Sequence, residues 1–152
     1  MFEKILVCLD GSEAAEKILT RINNEAIAFH SQIVLLRVIS PPETIVPIAV
    51  PGAPGVPITT AGTIRRATKD EAEASSYLTR IAGELQAKNL NVEWVVQPGA
   101  AGETIITFAR DNDCKLIAIG THGHGGFRRF ALGSTADFVV HRSTIPVLTI
   151  RE

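Results

Sequence analysis

KILVCLDGSEAAEKIL, residues Lys4–Leu19, carries the pattern from which the rest of the chain is read. The apolar run from Lys4 to Asp10 does not alternate with polar residues, which is the signature of a strand buried on both faces. It stops at Asp10-Gly11-Ser12, a tight turn. Beyond the turn Ala15, Ile18, Leu19, Ile22 and Ala26 recur at helical spacing, with Ser12 placed to cap the helix. One strand and one helix in direct succession, the strand with no solvent face, predict a sheet that other helices must cover.

The same alternation repeats down the chain. QIVLLRVIS (Gln32–Ser40) is a second buried strand, and Ala74, Leu78, Ile81 and Leu85 trace one face of a long helix from about Arg65 to Lys88. Between them PPETIVPIAVPGAPGVPITTAGT, Pro41 to about Ile64, is rich in Pro, Gly and Thr and has no helical or strand period; it reads as a surface excursion. NVEWVVQ (Asn91–Gln97) is the third strand, and Ile105, Phe108 and Ala109 mark a third helix. CKLIAIG (Cys114–Gly120), the short helix STADFVVHRS (Ser134–Ser143) and IPVLTI (Ile145–Ile150) complete the set. Five short apolar strands joined by helices predict an open, doubly wound parallel α/β fold in a single domain over residues 1–152. Ligands of such sheets sit beyond the carboxyl ends of the strands, where the strand order reverses. Asp10, Val38 and Gly120 all lie at or near such ends.

Composition narrows the function. The chain has 152 residues, 45% of them hydrophobic, with 15 basic and 16 acidic residues for a net charge of -1. That balance gives no basic field for nucleic acid. The apolar run after Glu3 and Lys4 is far shorter than the ~20 residues of a membrane span, so no membrane is expected and a cytoplasmic protein is. Cys8 and Cys114 sit in strand-like settings without CxxC spacing and read as buried small hydrophobes.

The chemistry concentrates in IAIGTHGHGGFRRFALGSTADF, Ile117–Phe138. Gly120, Gly123, Gly133 and Ser134 form G-x2-G-x9-G-S, from the end of the fourth strand to the start of the last helix. Glycines admit positive φ and close approach to the main chain. The closing Gly-Ser offers unpaired N–H groups and a hydroxyl where the helix dipole is positive, a place suited to a phosphate chain. His122, His124, Arg128 and Arg129 bring positive charge between the glycine pairs, with solvated loop charges as the competing reading. His122 and His124 lack a nearby third ligand for a metal site. There is no G-x-x-x-x-G-K-[ST] and no G-x-G-x-x-G, which excludes a P-loop and a dinucleotide fingerprint, and no G-x-S-x-G elbow. Asp10 has two readings: a carboxylate for ribose hydroxyls or an adenine amino group, or a turn aspartate bonding its own backbone.

KILVCLDGSEAAE near the N-terminus, the long run from VVQPGAAGE through THGHGGFRRFALGSTADF to PVLTI, and the G-x2-G-x9-G-S spacing together resemble the universal stress protein family, in its ATP-binding branch. The resemblance covers nearly the whole chain apart from the excursion. It implies strand order 3-2-1-4-5, a nucleotide pocket at the carboxyl edge and a homodimer paired through the last strand, residues 145–150. Carried over by position, Asp10 is similar to the family's ribose and adenine contact and Val38 to the residue whose backbone faces the adenine. Ile119, Gly120 and Gly123 match the pocket floor and the approach to the α- and β-phosphates. Gly133, Ser134 and Thr135 match the phosphate-binding helix start, and His122 and Arg128 join this set as cationic help. The implied ligand is ATP, or AMP or ADP, and a triphosphate in a cell usually carries Mg²⁺. The chain departs from the family at Ala101, where a proline is usual, and in the length of its excursion.

Fast phosphoryl transfer needs a held metal, a positioned nucleophile and cationic groups on the transferred phosphoryl. No general base stands out beside a γ-phosphate, and Asp10 belongs at the nucleoside end. The sequence therefore favours a nucleotide-responsive regulatory module with an unknown protein partner and at most slow hydrolysis. A slow ATPase or self-phosphorylating enzyme and a nucleotide-independent dimeric scaffold are the alternatives.

Overall fold

The computed structural model describes residues 2–41, 61–121 and 132–150, with backbone alone for residue 14 and for 61–68. Nine elements follow one another: β1 (Lys4–Cys8), α1 (Glu13–Phe29), β2 (Gln32–Ile39), α2 (Ala61–Gln86), β3 (Asn91–Pro98), α3 (Ala101–Asp111), β4 (Leu116–Gly120), α4 (Ser134–Arg142) and β5 (Val147–Ile150). The five strands form one sheet in the order β3-β2-β1-β4-β5, and each neighbouring pair is parallel. The expected doubly wound α/β fold is what forms. The surface excursion expected from Pro41 to about Ile64 falls mostly on residues 42–60, outside the described residues. Its last residues are helical, because α2 begins at Ala61 ahead of the expected Arg65.

The β1 sequence explains its place at the centre. Ile5, Leu6 and Val7 are completely buried, and successive side chains of a strand point to opposite faces. Ile5 and Val7 join Ile18, Ile22, Leu78, Ile81 and Leu85 in the layer under α1 and α2. Leu6 and Cys8 join Ile105, Ala109, Ile117, Ala136 and Val139 in the layer under α3 and α4. A strand that must bury both faces needs a helix layer on each side, and its crossover connections supply them.

Local signals place the boundaries. Ser12 caps α1, its hydroxyl accepting from the Ala15 amide at 3.1 Å. α3 begins at Ala101 after Ala100, which has no side chain to cap it. The unusual Ala101 thus still occupies the first helical position, where a proline would also have fitted. A Cβ at Gly102 would run into the Phe138 ring, so α3 and α4 pack through that missing side chain. Cys8 and Cys114 are buried as expected; burial first, and then each other's proximity, pushes the Cys8 thiol up and keeps it neutral. No described helix is long and apolar enough to cross a membrane.

Two substitutions test this packing. Leu78→Ala, in the middle of the layer under α2, lowers unfolding free energy by about 2–5 kcal/mol. Gly83→Ala lies on the exposed side of the same helix, where a Cβ meets nothing within 4 Å, and raises stability by about 0.5–1 kcal/mol through helix propensity. Urea unfolding of both variants checks the pair; a destabilised Gly83→Ala would contradict the open environment.

Candidate functional site at the carboxyl edge of the sheet

The topology brings the ends of β2, β1 and β4 side by side. Cys8 pairs with Leu36 on one flank and with Ile119 on the other, and neighbouring strands run about 4.8 Å apart. Asp10 lies just past β1, beyond Leu9, whose amide still donates to Leu36 O at 2.9 Å. Val38, Ile119 and Gly120 occupy the last positions of the two flanking strands. β1 is where the chain's path reverses, since β2 and β3 are added on one side and β4 and β5 on the other. Four of the residues singled out in the sequence thus converge at the switch point.

Asp10 also does what its turn reading predicts. Its Oδ1 accepts from the Ser12 amide at 2.9 Å and from the Ser12 hydroxyl at 2.6 Å. The two readings are compatible, because a carboxylate has several acceptor positions. Gly11 between them has φ of 89°, a left-handed conformation that favours glycine.

The start of α4 is fixed by a residue that the sequence reading passed over. Thr121, directly after Gly120, is 2% exposed. Its amide and its Oγ1 both donate to Ile150 O at 3.1 Å. Its own carbonyl accepts from the Gly133 amide at 2.6 Å. A Cβ on Gly133 would stand 2.9 Å from that carbonyl oxygen. Gly133 has φ of -59°, so positive φ is not the reason for this glycine, contrary to the general expectation for the motif; the Thr121 backbone leaves no room for a side chain. Gly133 also caps α4 without a side chain. The amides of Ser134 and Thr135 therefore begin the helix with no capping oxygen from their own N-cap, at the positive end of the dipole.

On the α1/α2 side of the same edge lies a second group that the sequence reading missed. Arg37 continues the row of Ile33 and Leu35, and its guanidinium carbon sits 5.2 Å from the centre of the Tyr77 ring. Arg80 lies 5.5 Å from the same ring and pairs with Glu16 at 3.0 Å and Glu84 at 2.8 Å. Tyr77 Oη is buried with no partner of good hydrogen-bond geometry. Burial, followed by the negative charge of Glu16, holds the phenol well above its usual range. The available signal was Arg37 itself, a charge near the end of an otherwise apolar strand, next to Val38.

His122, Gly123 and Arg128, with His124 and Arg129, lie outside the described residues. The structure thus brings together Asp10, Val38, Ile119, Gly120, Gly133, Ser134 and Thr135 at one edge. Among the described residues no group of three His, Cys, Asp or Glu side chains is arranged to hold a metal ion.

Comparison with known proteins follows the same lines. The sequence pattern of the Universal stress protein family matches residues 1–151. Universal stress protein MJ0577 of Methanocaldococcus jannaschii is 27% identical over 159 residues, 99% of this chain and 96% of that one. Universal stress protein Slr1230 of Synechocystis is 32% identical over 84 residues, 55% of this chain and 29% of that longer protein. The solved structure of MJ0577 superposes with a TM-score of 0.81 at 26% identity, covering 100% of this chain and 97% of that chain. A universal stress protein in complex with cAMP has a TM-score of 0.69 at 17% identity, over 99% and 97% of the two chains. The protein from Archaeoglobus fulgidus in complex with dAMP has a TM-score of 0.65 at 21% identity, over 99% and 100%.

The close approach at Gly133 makes a direct test. Gly133→Ala destabilises the protein by about 1–3 kcal/mol, the cost of overpacking against backbone that cannot turn away. A melting temperature unchanged from the parent would contradict the Thr121 contact.

Proposed function

The chain belongs to the universal stress protein family, and from that premise we propose that it binds an adenine nucleotide at the carboxyl edge of the sheet and acts as a nucleotide-responsive regulatory module. The observation that carries this reading is the convergence of Asp10, Val38 and Gly120 with the start of α4 at Gly133 and Ser134, whose N-cap residue supplies no side-chain oxygen. The nucleoside lies across the ends of β1 and β2. Asp10 meets the ribose or the adenine amino group, and the Val38 backbone faces the base. The phosphates run past Gly120 to the amides and hydroxyls of Ser134 and Thr135, where the helix dipole favours negative charge. Gly123, His122 and Arg128 belong to the same path. Ligands in two neighbouring structures of the same fold, cAMP and dAMP, support the adenine class.

ATP, carrying Mg²⁺, is the ligand that uses the whole path, and AMP occupies the nucleoside end. A regulatory role requires the two to bind with different affinity or effect, since a ligand shifts a conformational equilibrium only through differential binding. The half-buried residues of β5, which pairs with β4 on one side, leave an edge that a second copy can extend, and a homodimer is the assembly in which we place the module.

Calorimetric titration of the protein with ATP and with AMP, each with and without Mg²⁺, tests the reading. The expected result is saturable binding of both nucleotides, about tenfold weaker in Asp10→Ala, the effect of losing one or two hydrogen bonds to a charged acceptor. No heat with either nucleotide, and none found bound to the purified protein, would remove the reading and favour the scaffold alternative.

A further inference from the structure

We propose that Arg37 is a positioning residue for this site, holding the Asp10-Gly11-Ser12 turn from beneath and linking its occupancy to Tyr77 of α2; the proposal rests on the nucleotide reading above. The turn has a backbone that glycine alone adopts easily, and the space under Gly11 is filled by Arg37. A Cβ at Gly11 would stand 3.1 Å from one guanidinium nitrogen and 3.2 Å from both the guanidinium carbon and the other nitrogen. The same guanidinium lies over the Tyr77 ring, its carbon 5.2 Å from the ring centre.

Tyr77 is in turn held from a second direction by Arg80, which Glu16 of α1 and Glu84 of α2 fix by hydrogen bonds. Turn, guanidinium, ring and second guanidinium therefore form a continuous stack from the carboxyl edge into α2. Among the described residues no carboxylate pairs with Arg37. The guanidinium packs against the turn and the ring. A half-buried cation packed against Gly11 sets the height of the turn and places positive charge against the residue that follows Asp10. Ligand contacts that draw on Asp10 must move or stiffen the turn, and the stack passes this to the ring.

The chain has one tyrosine and one tryptophan, which makes the link directly readable. Protein carrying ¹³C-labelled tyrosine is titrated with AMP, and calorimetry is run on the same samples. In the parent protein the Tyr77 ring resonances shift on saturation. In Arg37→Met that shift disappears and AMP binds about tenfold more weakly. The Trp94 indole resonance on β3 stays in place in both, showing that the fold is kept. Arg37→Lys keeps the charge but not the flat fork and recovers part of the affinity. Binding by Arg37→Met within about twofold of the parent, with the same Tyr77 shift, would overturn the proposal. Absence of AMP binding in the parent protein would instead remove the nucleotide reading, and this proposal with it.

Discussion

The arrangement at the carboxyl edge depends on the hydrogen bond from the Gly133 amide to the Thr121 carbonyl. Thr121 is anchored to β5 through two donors to Ile150, so this bond ties the start of α4 to the ends of β4 and β5 at once. Residues 121 and 133 bound a segment rich in glycine and histidine. Fixing its two ends sets where the segment leaves the sheet and where it returns. The tie tolerates no side chain at 133, and the helix therefore begins with its amides aimed from a bare backbone position.

The sheet gives that tie its meaning. β1 is central, with Ile5, Leu6 and Val7 completely buried, and the chain builds outward from it on both sides. The reversal leaves the ends of β1 and β4 beside each other without a connection crossing between them, which is where such folds accept ligands. α4 packs in the layer under which Cys8, Ile117 and Ile119 are buried. Its N-terminus thus returns to the edge occupied by Asp10 and Gly120. Stability and the site come from the same residues: those that bury the strand also bring its end into register with its neighbours.

Much of this was legible in the sequence because the signals are local. The unalternating run Ile5–Leu9 announced a strand with two buried faces, Ser12 announced its helix, and Ala74, Leu78, Ile81 and Leu85 drew the inner face of α2. The residues placed at the edge, from Asp10 to Thr135, were legible through spacing and family resemblance. Thr121, Arg37 and Tyr77 were not, because their roles depend on contacts between distant parts of the chain. Thr121 matters through Ile150 and Gly133, and Arg37 through a ring forty positions further on. At Gly133 the sequence pointed to freedom of φ or to close approach of a ligand; the structure shows an ordinary φ and the nearness of the Thr121 carbonyl. The start of α2 was placed late because Ala61–Ile64 adjoins a stretch whose composition masks the helical period.

The account stands or falls on where an adenine nucleotide touches this chain. Amide chemical-shift mapping with AMP on ¹⁵N-labelled protein answers that most directly. The account predicts shifts concentrated at Gly11, Ser12, Ile39, Gly120, Thr121, Ser134 and Thr135. Shifts confined to the opposite edge, around Glu3, Ser31, Asn91 and Lys115, or no shifts at saturating AMP, would contradict it.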